Sequence, residues 1–521
     1  MTTTLGSMLR SNASVYAQFP ALHENAGSST WAEWVARIAR TARLLRGDLQ
    51  LRPGERFGLL ARNSACQAAL INAGYWSGLV PVPINHRLAP SEIEQLAEDA
   101  GCKRLFVDTG LASIASDPHL SGWRDRMIPI DIDDTGSDDW SKRAAAAEPL
   151  DLHESHEDDE ALLLYTGGTT GRGKGVPLSH RNILSNALQL ARVMEASSED
   201  VYLHVAPMFH STDLKSTVVS LFGGSHAYLP DFSATGVLEA AARHGITILS
   251  LVPTMVARVL DDADPASRPL PALRLVSYGS APMDESVLRR AMAAFPKAGF
   301  HQCYGLTETA PFIALLDAHE HRRALHEARP ELLRAAGRPL PGTELRFLDE
   351  AGREVASGEA GEIAVRGPQV SRGYLKRPEE SAAAWRDGWF HTGDIGRLDA
   401  DGRLHVLGRK KEMVITGGEN VYTREVETVL LRHPQVREAA VVGVPDARFG
   451  EALLAVLVLQ ESGDPPTAEQ LIAFCRESLG GFKIPRRYRF VSQLPRTPLG
   501  KVKKHELVAA HRADTAEGAA A

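Results

Sequence analysis

The chain has 521 residues, of which 44% are hydrophobic and 24% charged, as is typical of a soluble globular protein with several domains or one large core with an appendage. The net charge of −7 predicts no basic surface and argues against nucleic acid as a partner. The 4 cysteines are far apart and include no C-x-x-C pair, so neither a zinc site nor a disulfide framework is indicated, and a reducing cytoplasm suits this usage. The first residues lack the apolar core of a secretory signal, and no apolar run approaches the roughly 18 residues of a membrane span.

Apolar, strand-like runs alternate with helix-compatible segments through the first three-quarters of the chain. The strand-like runs are 56–62, 79–85, 104–108, 162–166, 201–207, 246–253 and 273–280, and the first two helical patterns lie near 64–77 and 90–100. Alternation of this kind predicts an α/β protein in which parallel sheets are covered by helices.

From about residue 340 the pattern changes to short strands with glycine-bearing turns, which predicts a small antiparallel subdomain. The segment 397–409 is a predicted hairpin with an Asp-Gly turn. Beyond it, "VREAAVVGVPD" and "ALLAVLVL" are predicted strands and 467–478 is a predicted helix, which together form a small α+β unit. The predicted domains are a large N-terminal domain over 1–409, a C-terminal domain over 410–507 and a disordered tail over 508–521.

The stretch "LLLYTGGTTGRGKGVPLSHRN" (162–182) contains a sequence that fits the first positions of a P-loop, G-x-x-x-x-G-K. A P-loop continues with Ser or Thr and starts a helix, whereas this chain has Gly175, and Val176 precedes a proline and is pushed toward extended geometry. The next helix start is predicted at Ser179, as an N-cap. The loop therefore joins two extended segments, and its glycines, hydroxyls and terminal lysine favour phosphate binding over an ordinary glycine-rich hairpin.

Further motifs follow in a fixed order. They are "PMFH" (207–210), "YGSAP" (278–282), "YGLTET" (304–309), "GWFHTGDIGRLDADG" (388–402), "GRKKEMVITGGENVYTREVE" (408–427) and "LPRTPLGKVKK" (494–504). With the glycine-rich loop, they resemble the adenylate-forming superfamily of acyl-CoA and aryl-CoA ligases, nonribosomal peptide adenylation domains and firefly luciferase. The resemblance runs from about Trp31 to Leu507. Gly167 and Gly173 depart from the family's usual Ser and Pro but leave the lysine and the threonine pair in place.

The resemblance assigns an ATP-binding set. It implies that the β- and γ-phosphates are bound by Thr166, Gly168, Thr169, Thr170 and Lys174. It implies that adenine stacks on Tyr304, beside Cys303 and Gly305, and that the other side of the base is lined by Gly279, Ser280 and Ala281. It implies that the ribose is bound by Asp394 and Arg409. It also implies that Thr307 contacts the α-phosphate and that Glu308 holds Mg²⁺, for which a carboxylate is a suitable ligand. Taken alone, Asp394 would be interpreted as a turn residue.

Lys501 is the residue that the resemblance implies for the first step, where it bridges the acyl carboxylate and the α-phosphate. A cation on a long flexible stem suits that task. The alternative is a solvated charge run, an interpretation that we favour for Lys503 and Lys504.

A mobile C-terminal domain is also implied. Lys411 occupies the family's hinge position, and the implied motion replaces Lys501 by the loop around Gly417 and Gly418, which would line a thiol channel.

The acid pocket is predicted from three segments, 210–214, 276–280 and 301–303. The resemblance implies that His210 is a catalytic residue that lies near the acyl carboxylate and gates the thiol tunnel, and the alternative is a purely structural histidine. Asp213 is interpreted as a helix cap rather than a ligand of the substrate. Tyr278 and His301 are expected to narrow the pocket while Ser277 and Thr212 add polarity, which suggests a medium-chain or aromatic acid.

The leading hypothesis is an ATP-dependent carboxylate–CoA ligase that acts through an acyl-adenylate, with ATP, Mg²⁺ and CoA as its small-molecule partners. "ITGGENVYTREVE" resembles the loop of ligases for fatty or aryl acids, which favours CoA. The alternatives are a stand-alone amide synthetase, a ligase that loads a carrier protein, a luciferase-type oxygenase and a non-enzymatic descendant. The oligomeric state stays open, with a homodimer as one alternative.

Overall fold

The computed structural model describes the chain except for residues 1–2, 25–26, 133–137, 167–172, 266, 282, 328, 417–418, 447, 461–464, 497–500 and 521. In the first part of the chain the strands are β1 (Pro20–Glu24), β2 (Gly27–Thr30), β3 (Arg56–Leu60), β4 (Val80–Pro83), β5 (Leu105–Asp108), β6 (Met127–Ile130), β7 (Glu160–Tyr165), β8 (Gly175–Ser179), β9 (Val201–His204), β10 (Ser225–Tyr228), β11 (Ile248–Leu251), β12 (Leu275–Gly279), β13 (Gly299–Gly305), β14 (Phe312–Leu316) and β15 (Arg338–Pro339). The helices are α1 (Leu5–Val15), α2 (Trp31–Arg43), α3 (Ala65–Ser77), α4 (Pro90–Asp99), α5 (Ala112–Ala115), α6 (Asp139–Ala146), α7 (His180–Met194), α8 (Ser216–Leu221), α9 (Ala234–His244), α10 (Pro253–Asp262), α11 (Glu285–Ala294) and α12 (Ala318–His326).

The later elements are β16 (Glu344–Leu348), β17 (Gly361–Arg366), α13 (Pro378–Ala384), β18 (Trp385–Arg386), β19 (Trp389–Leu398), β20 (Leu404–Arg409), β21 (Met413–Thr416), β22 (Glu419–Tyr422), α14 (Thr423–Leu430), β23 (Val436–Asp446), β24 (Gly450–Leu459), α15 (Ala468–Arg476), β25 (Arg487–Phe490) and α16 (Lys504–Ala520). None of the helices in the described part of the chain combines the length and apolar character that a membrane crossing needs.

The largest sheet has the strand order β15-β14-β13-β12-β11-β9-β10-β1-β2. The strands from β13 to β1 in this order run parallel to one another, and β14, β15 and β2 are antiparallel to their neighbours. A helix follows each of β9, β10, β11 and β12 in the chain, so the predicted alternation of strands and helices is confirmed. Because the strands are parallel, β9, β12 and β13 all end at one edge of the sheet.

A second, fully parallel sheet has the order β4-β3-β5-β6. The helix after β3 begins where predicted, because the Ser64 side chain accepts the amide of Gln67, and it ends at Gly78 in the left-handed conformation with φ +70°. One face of this sheet is buried through aromatic packing, in which the Phe106 ring lies 5.7 Å from Phe57 and 4.9 Å from Trp140. The α/β fold class predicted from the sequence is therefore confirmed.

The predicted antiparallel subdomain is also present, as a sheet in the order β16-β17-β19-β18 with β20 beside β19. Strands β19 and β20 form the predicted hairpin, whose turn is closed by the amide of Asp399 donating to the carbonyl of Arg403 at 2.9 Å. Gly402 has φ +76° in this turn, a conformation that favours glycine.

The chain divides into two compact units, one formed by residues 1–344 with 365–390 and the other by 345–364 with 391–521. In the second unit, a sheet has the order β22-β21-β24-β23 with β25 parallel to β24. The predicted boundary after residue 409 stays a prediction.

The C-terminal segment differs from the disordered tail that we expected over 508–521, because the structure continues α16 to Ala520. The segment is rich in alanine, which has the highest intrinsic helix propensity. Leu507 at the start of the helix is buried in a cluster with Val442 and Val444 of β23. Local propensity and this anchor together explain the helix.

Candidate active site

Two of the predicted motifs and the residues that directly follow "PMFH" meet at the edge where the parallel strands β9, β12 and β13 end. The Ser211 hydroxyl lies 3.3 Å from that of Thr307, and the Thr212 hydroxyl lies 3.1 Å from that of Ser280. Residues from three distant parts of the sequence thus come together outside the carboxyl ends of neighbouring parallel strands, a common position for ligand sites in α/β folds.

Glycine is required at two positions of this edge because backbones approach closely. A Cβ on Gly279 would overlap the carbonyl oxygen of Cys303, and one on Gly305 would overlap the carbonyl oxygen of Pro311. Ser280, directly after β12, has φ +67°, which is rare for a residue with a side chain and is common at functional sites. The predicted adenine loop is therefore built from backbone that few other residues could form.

The loop that carries His210 is fixed by Asn63, a buried residue that our sequence reasoning did not identify. The Asn63 amide donates to the carbonyls of His204 and Ala206 at 3.2 and 3.0 Å, and its oxygen accepts the amide of Met208 at 2.9 Å. The His210 ring packs against Phe209 with the centroids 4.7 Å apart.

The predicted geometry of the glycine-rich loop, which joins two extended segments, is confirmed for the described residues, and its role in phosphate binding stays a prediction. Strands β7 and β8 are antiparallel, and the amide of Thr166 donates to the carbonyl of Lys174 at 3.0 Å, so the lysine ends a hairpin and does not start a helix. Ser179 caps α7 as predicted. Gly168, Thr169 and Thr170 lie outside the described residues.

Tyr374 connects the phosphate loop to the predicted magnesium ligand. Its hydroxyl donates to the Glu308 carboxylate at 2.7 Å, and its ring centroid lies 4.6 Å from the Lys174 ammonium. Lys174 also pairs with Glu380 at 3.0 Å. The sequence offered only a glycine–tyrosine pair between two recognised motifs, which is too short a signal to predict this role.

The donor set around Glu308 fits a magnesium ion that arrives with a nucleotide. Within the described ranges, no group of three or more His, Cys, Asp or Glu side chains is placed to hold a metal. Mg²⁺ typically binds through one or two carboxylates together with substrate phosphates, so a single carboxylate such as Glu308 is sufficient on the protein side.

In the second unit, Asp394 and Arg409 form an ion pair across the β19–β20 hairpin. The Arg409 Nε donates to the Asp394 carboxylate at 2.9 Å, and its Nη1 donates to the carbonyl of Thr392 at 3.0 Å. Asp394 is buried and lies within strand β19, so the alternative of a turn residue is wrong. The two predicted ribose ligands are therefore direct neighbours.

The remaining predicted residues of the second unit are exposed or lie outside the described ranges. Lys411 is exposed in a short 3-10 helix, and Lys501 is exposed next to the bridge between residues 496 and 502. Gly417 and Gly418 are not among the described residues.

Lys504 is not part of a solvated charge run, contrary to our interpretation. Its ammonium pairs with Glu427 at 2.8 Å and with Glu412 at 2.9 Å. Burial lowers the pKa of Lys504, but these two carboxylates outweigh burial and raise it above the usual value. Lys503 pairs with Glu506 at the surface.

Asp213 is not a helix cap, contrary to our interpretation. The residue lies in a 3-10 turn before α8, and its carboxylate lies 2.8 Å from Nδ1 of His204 in the neighbouring strand. Nε2 of His204 lies 3.0 Å from Nδ1 of His226, and Nε2 of His226 lies 2.8 Å from the Ser220 hydroxyl. Asp213 therefore starts a buried polar chain, a tertiary arrangement that a local capping pattern cannot reveal.

Tyr278 does not narrow the acid pocket, contrary to our expectation. Because successive side chains of a strand point to opposite faces, Tyr278 and Ser277 are on different faces of the sheet. The Tyr278 hydroxyl lies 2.8 Å from Nε2 of His321 in α12. It cannot narrow a pocket that Ser277 lines.

Residues 9–375 match the protein-family model for the AMP-binding enzyme, and residues 425–501 match the family model for the AMP-binding enzyme C-terminal domain. The chain is similar to a feruloyl-CoA synthase of an Amycolatopsis species, with 35% identity over 505 residues that cover 96% of this chain and 98% of the relative. Among solved structures it is similar to the o-succinylbenzoate CoA synthetase of Bacillus subtilis in complex with its acyl-adenylate intermediate, with TM-score 0.83, 30% identity and coverage of 97% and 98%. It is also similar to an amide bond synthetase of Marinactinospora thermotolerans, with TM-score 0.84, 30% identity and coverage of 97% and 99%.

Proposed function

This chain belongs to the AMP-binding enzyme family, and we propose that it activates a small carboxylic acid at the sheet edge described above, with Lys174, Thr307 and Glu308 as its phosphate-handling residues. It is an ATP-dependent, AMP-forming acid–CoA ligase. The observation that carries the assignment of roles is the contact of Tyr374 with both Lys174 and Glu308, which supports a single phosphate site.

In the first step, a carboxylate oxygen of the acid attacks the α-phosphorus of ATP. The bond from that phosphorus to the bridging oxygen breaks, and its electron pair leaves with pyrophosphate. Both reactants are anions, so the site must supply cations and hydrogen-bond donors. Lys174 supplies a cation and Thr307 a hydroxyl donor, while Mg²⁺ on Glu308 would neutralise phosphate charge. The acid needs no general base, since it is already ionised at neutral pH.

In the second step, the thiolate of CoA attacks the acyl carbonyl carbon, and the bond to the phosphate oxygen breaks so that AMP leaves. We assign Lys501 to the first step, and Lys411 with the Gly417–Gly418 loop to the change between steps. Asp394 would accept hydrogen bonds from the ribose hydroxyls, because its buried carboxylate is already oriented by Arg409.

Three further properties of the ligase are its acid substrate, its location and its oligomeric state. We propose an aryl or medium-chain acid, and a cytoplasmic location, which the four buried, unbridged cysteines support. The homodimer stays a prediction.

The test is mass spectrometry of the products formed by the purified full chain with ATP, Mg²⁺ and a panel of fatty, aryl and hydroxy acids, each with and without CoA. A CoA thioester that requires ATP and the acid supports the ligase, and Glu308→Gln serves as the matched variant that should lose the first step. Acyl-adenylate that accumulates equally with and without CoA would contradict the thiol acceptor. Amines would then be supplied, because the similarity to an amide bond synthetase makes an amide the next product to seek.

A further inference from the structure

Lys215 is a buried lysine that the reaction described above does not use. It follows the predicted pocket segment 210–214 directly and is only 1% exposed. Its ammonium donates to the hydroxyl of Ser250 at 3.3 Å and to that of Ser277 in a shorter bond. A side chain that is mostly found at protein surfaces is thus held inside the sheet-and-helix core.

The surface that faces Lys215 is a row of polar side chains on one face of the main sheet. Ser250 of β11, Ser277 of β12 and His301 of β13 are register partners across three parallel strands, so their side chains share this face. Cys303 lies two residues beyond His301, with its Sγ 3.4 Å from the Ser277 hydroxyl.

In sequence, the residues of this row lie only a few positions before the residues at the sheet edge where β12 and β13 end. Ser277 lies two residues before Gly279, at the end of β12, and Cys303 lies four residues before Thr307. The ring of Phe312 in the adjacent strand lies 4.8 Å from the Lys215 ammonium. All three segments predicted to line the acid pocket therefore converge on this lysine.

Among the described residues, no carboxylate forms an ion pair with Lys215, whose ammonium donates to the hydroxyls of Ser250 and Ser277 and also interacts with the Cys303 thiol. The nearest carboxylate in sequence, Asp213, is bonded to His204 instead. Burial lowers the pKa of Lys215, although Cys303 and Asp213 act in the opposite direction. A buried ammonium without a paired anion is destabilising, and an anionic ligand beside it would offset that cost.

A second buried polar group, His301, lies in the same row of side chains. Nδ1 of His301 makes no hydrogen bond to any described residue. Burial, together with the positive charges around it that include Lys215, lowers the pKa of His301 to about 3, so the ring is neutral. A neutral imidazole nitrogen and a cation together suit a ligand that carries oxygen atoms.

We propose that Lys215 binds a second anionic group, a carboxylate or a sulfonate, on the acid that the enzyme activates. This inference rests on the proposed function, since it concerns the far end of the same acid. The reacting carboxylate would lie at the sheet edge near Thr307, and the second anion would reach the polar row of Ser250, Ser277 and His301. The substrate class is then a dicarboxylic or sulfonated acid, and Lys215 is its specificity-determining residue.

The experiment measures pyrophosphate release by the purified full chain with ATP and Mg²⁺. The acids are a length series of α,ω-dicarboxylates, the benzenedicarboxylates and sulfonated acids, each paired with a counterpart in which the second anionic group is a methyl ester or a hydroxyl, and fatty and aryl monoacids are included for comparison. The variants are Lys215→Met, which keeps the volume and removes the charge, and Lys215→Arg, which keeps the charge. Lys103→Met is the matched control, because Lys103 is an exposed lysine of the same unit that has no place in the site.

We expect the wild type to prefer one diacid over its neutral counterpart by roughly 100-fold or more in kcat/KM, the size that removal of one partner from a desolvated ion pair produces. Lys215→Met should abolish this preference mainly through KM, Lys215→Arg should retain part of it, and Lys103→Met should not change it. The melting temperature of Lys215→Met should be unchanged or higher, because an unpaired buried charge is removed.

Three results would overturn the proposal. If the wild type prefers acids that lack a second anionic group, and Lys215→Met shows the same preference, the lysine has a structural role. A preference for a hydroxylated acid that is lost in Lys215→Met would show that the lysine recognises a neutral oxygen. If the wild type releases pyrophosphate with none of the acids, including fatty and aryl monoacids, the ligase function itself fails and this proposal fails with it.

Discussion

Replacing Tyr374 by Phe tests whether its hydroxyl positions the Glu308 carboxylate. The hydrogen bond is 2.7 Å long, and Glu308 is buried. Bonds to charged groups contribute about 1.5–3 kcal/mol, which corresponds to a fall of roughly 10- to 150-fold in acyl-adenylate formation. Because Glu308 is the proposed magnesium ligand, much of this loss should appear as a higher Mg²⁺ concentration at half-maximal rate. Tyr374→Leu should lose about 0.5–1 kcal/mol more, since it also removes the ring beneath Lys174.

The assay is exchange of labelled pyrophosphate into ATP, with Mg²⁺ titrated at saturating acid. Tyr165→Phe is the matched control, because the Tyr165 hydroxyl donates to a carboxylate of Asp99 at the same distance of 2.7 Å. Both variants should lose some thermal stability, but only Tyr374→Phe should shift the Mg²⁺ dependence. An identical Mg²⁺ dependence in the wild type and both variants would refute the reasoning and leave Tyr374 with a structural role.

Lys501→Ala should lose acyl-adenylate formation by roughly 100-fold or more while it keeps thioester formation from supplied acyl-adenylate, and equal losses in both half-reactions would contradict the division of roles. Gly305→Ala should destabilise the fold by about 1–3 kcal/mol in chemical denaturation, because its Cβ would overlap Pro311, whereas Gly122→Ala has open space and serves as its control. Burial lowers the pKa of His180 to about 4, so the unfolded state binds its proton first and stability should fall by roughly 3 kcal/mol as the pH drops from 6.5 to 4. His180→Asn should show a shallower decline over this window, and parallel curves would contradict the assignment.

Much of the fold could be predicted from the sequence, because the signals are local. The alternation of apolar runs with helical patterns predicted the parallel sheets, and the N-cap at Ser179 is where the side-chain pattern put it. The proline after Val176 excluded a P-loop helix, and the hairpin of β7 and β8 agrees. Periodicity, capping and turn chemistry act within a few residues, so they are visible without a tertiary structure.

Parts of the candidate site could also be predicted, because its motifs are contiguous. Thr307 and Glu308 lie within one motif. Asp394 and Arg409 lie in two consecutive motifs, which the β19–β20 hairpin brings together. The interpretation of Asp213 as a cap failed because a local pattern could not exclude it, whereas the neighbouring strand supplies His204 as its partner.

The amino-acid sequence by itself determined the class of fold, the order of the motifs and the residue types that we propose for phosphate binding, since each depends on neighbours along the chain. Only the tertiary structure decided that Tyr374 joins Lys174 to Glu308, and that Lys215 is buried against Ser250 and Ser277. These contacts depend on which strands lie side by side, and the order β13-β12-β11-β9 is not encoded in any local pattern. Strand order follows from packing the whole chain, so contacts between distant segments can be predicted only after the sheet is assembled.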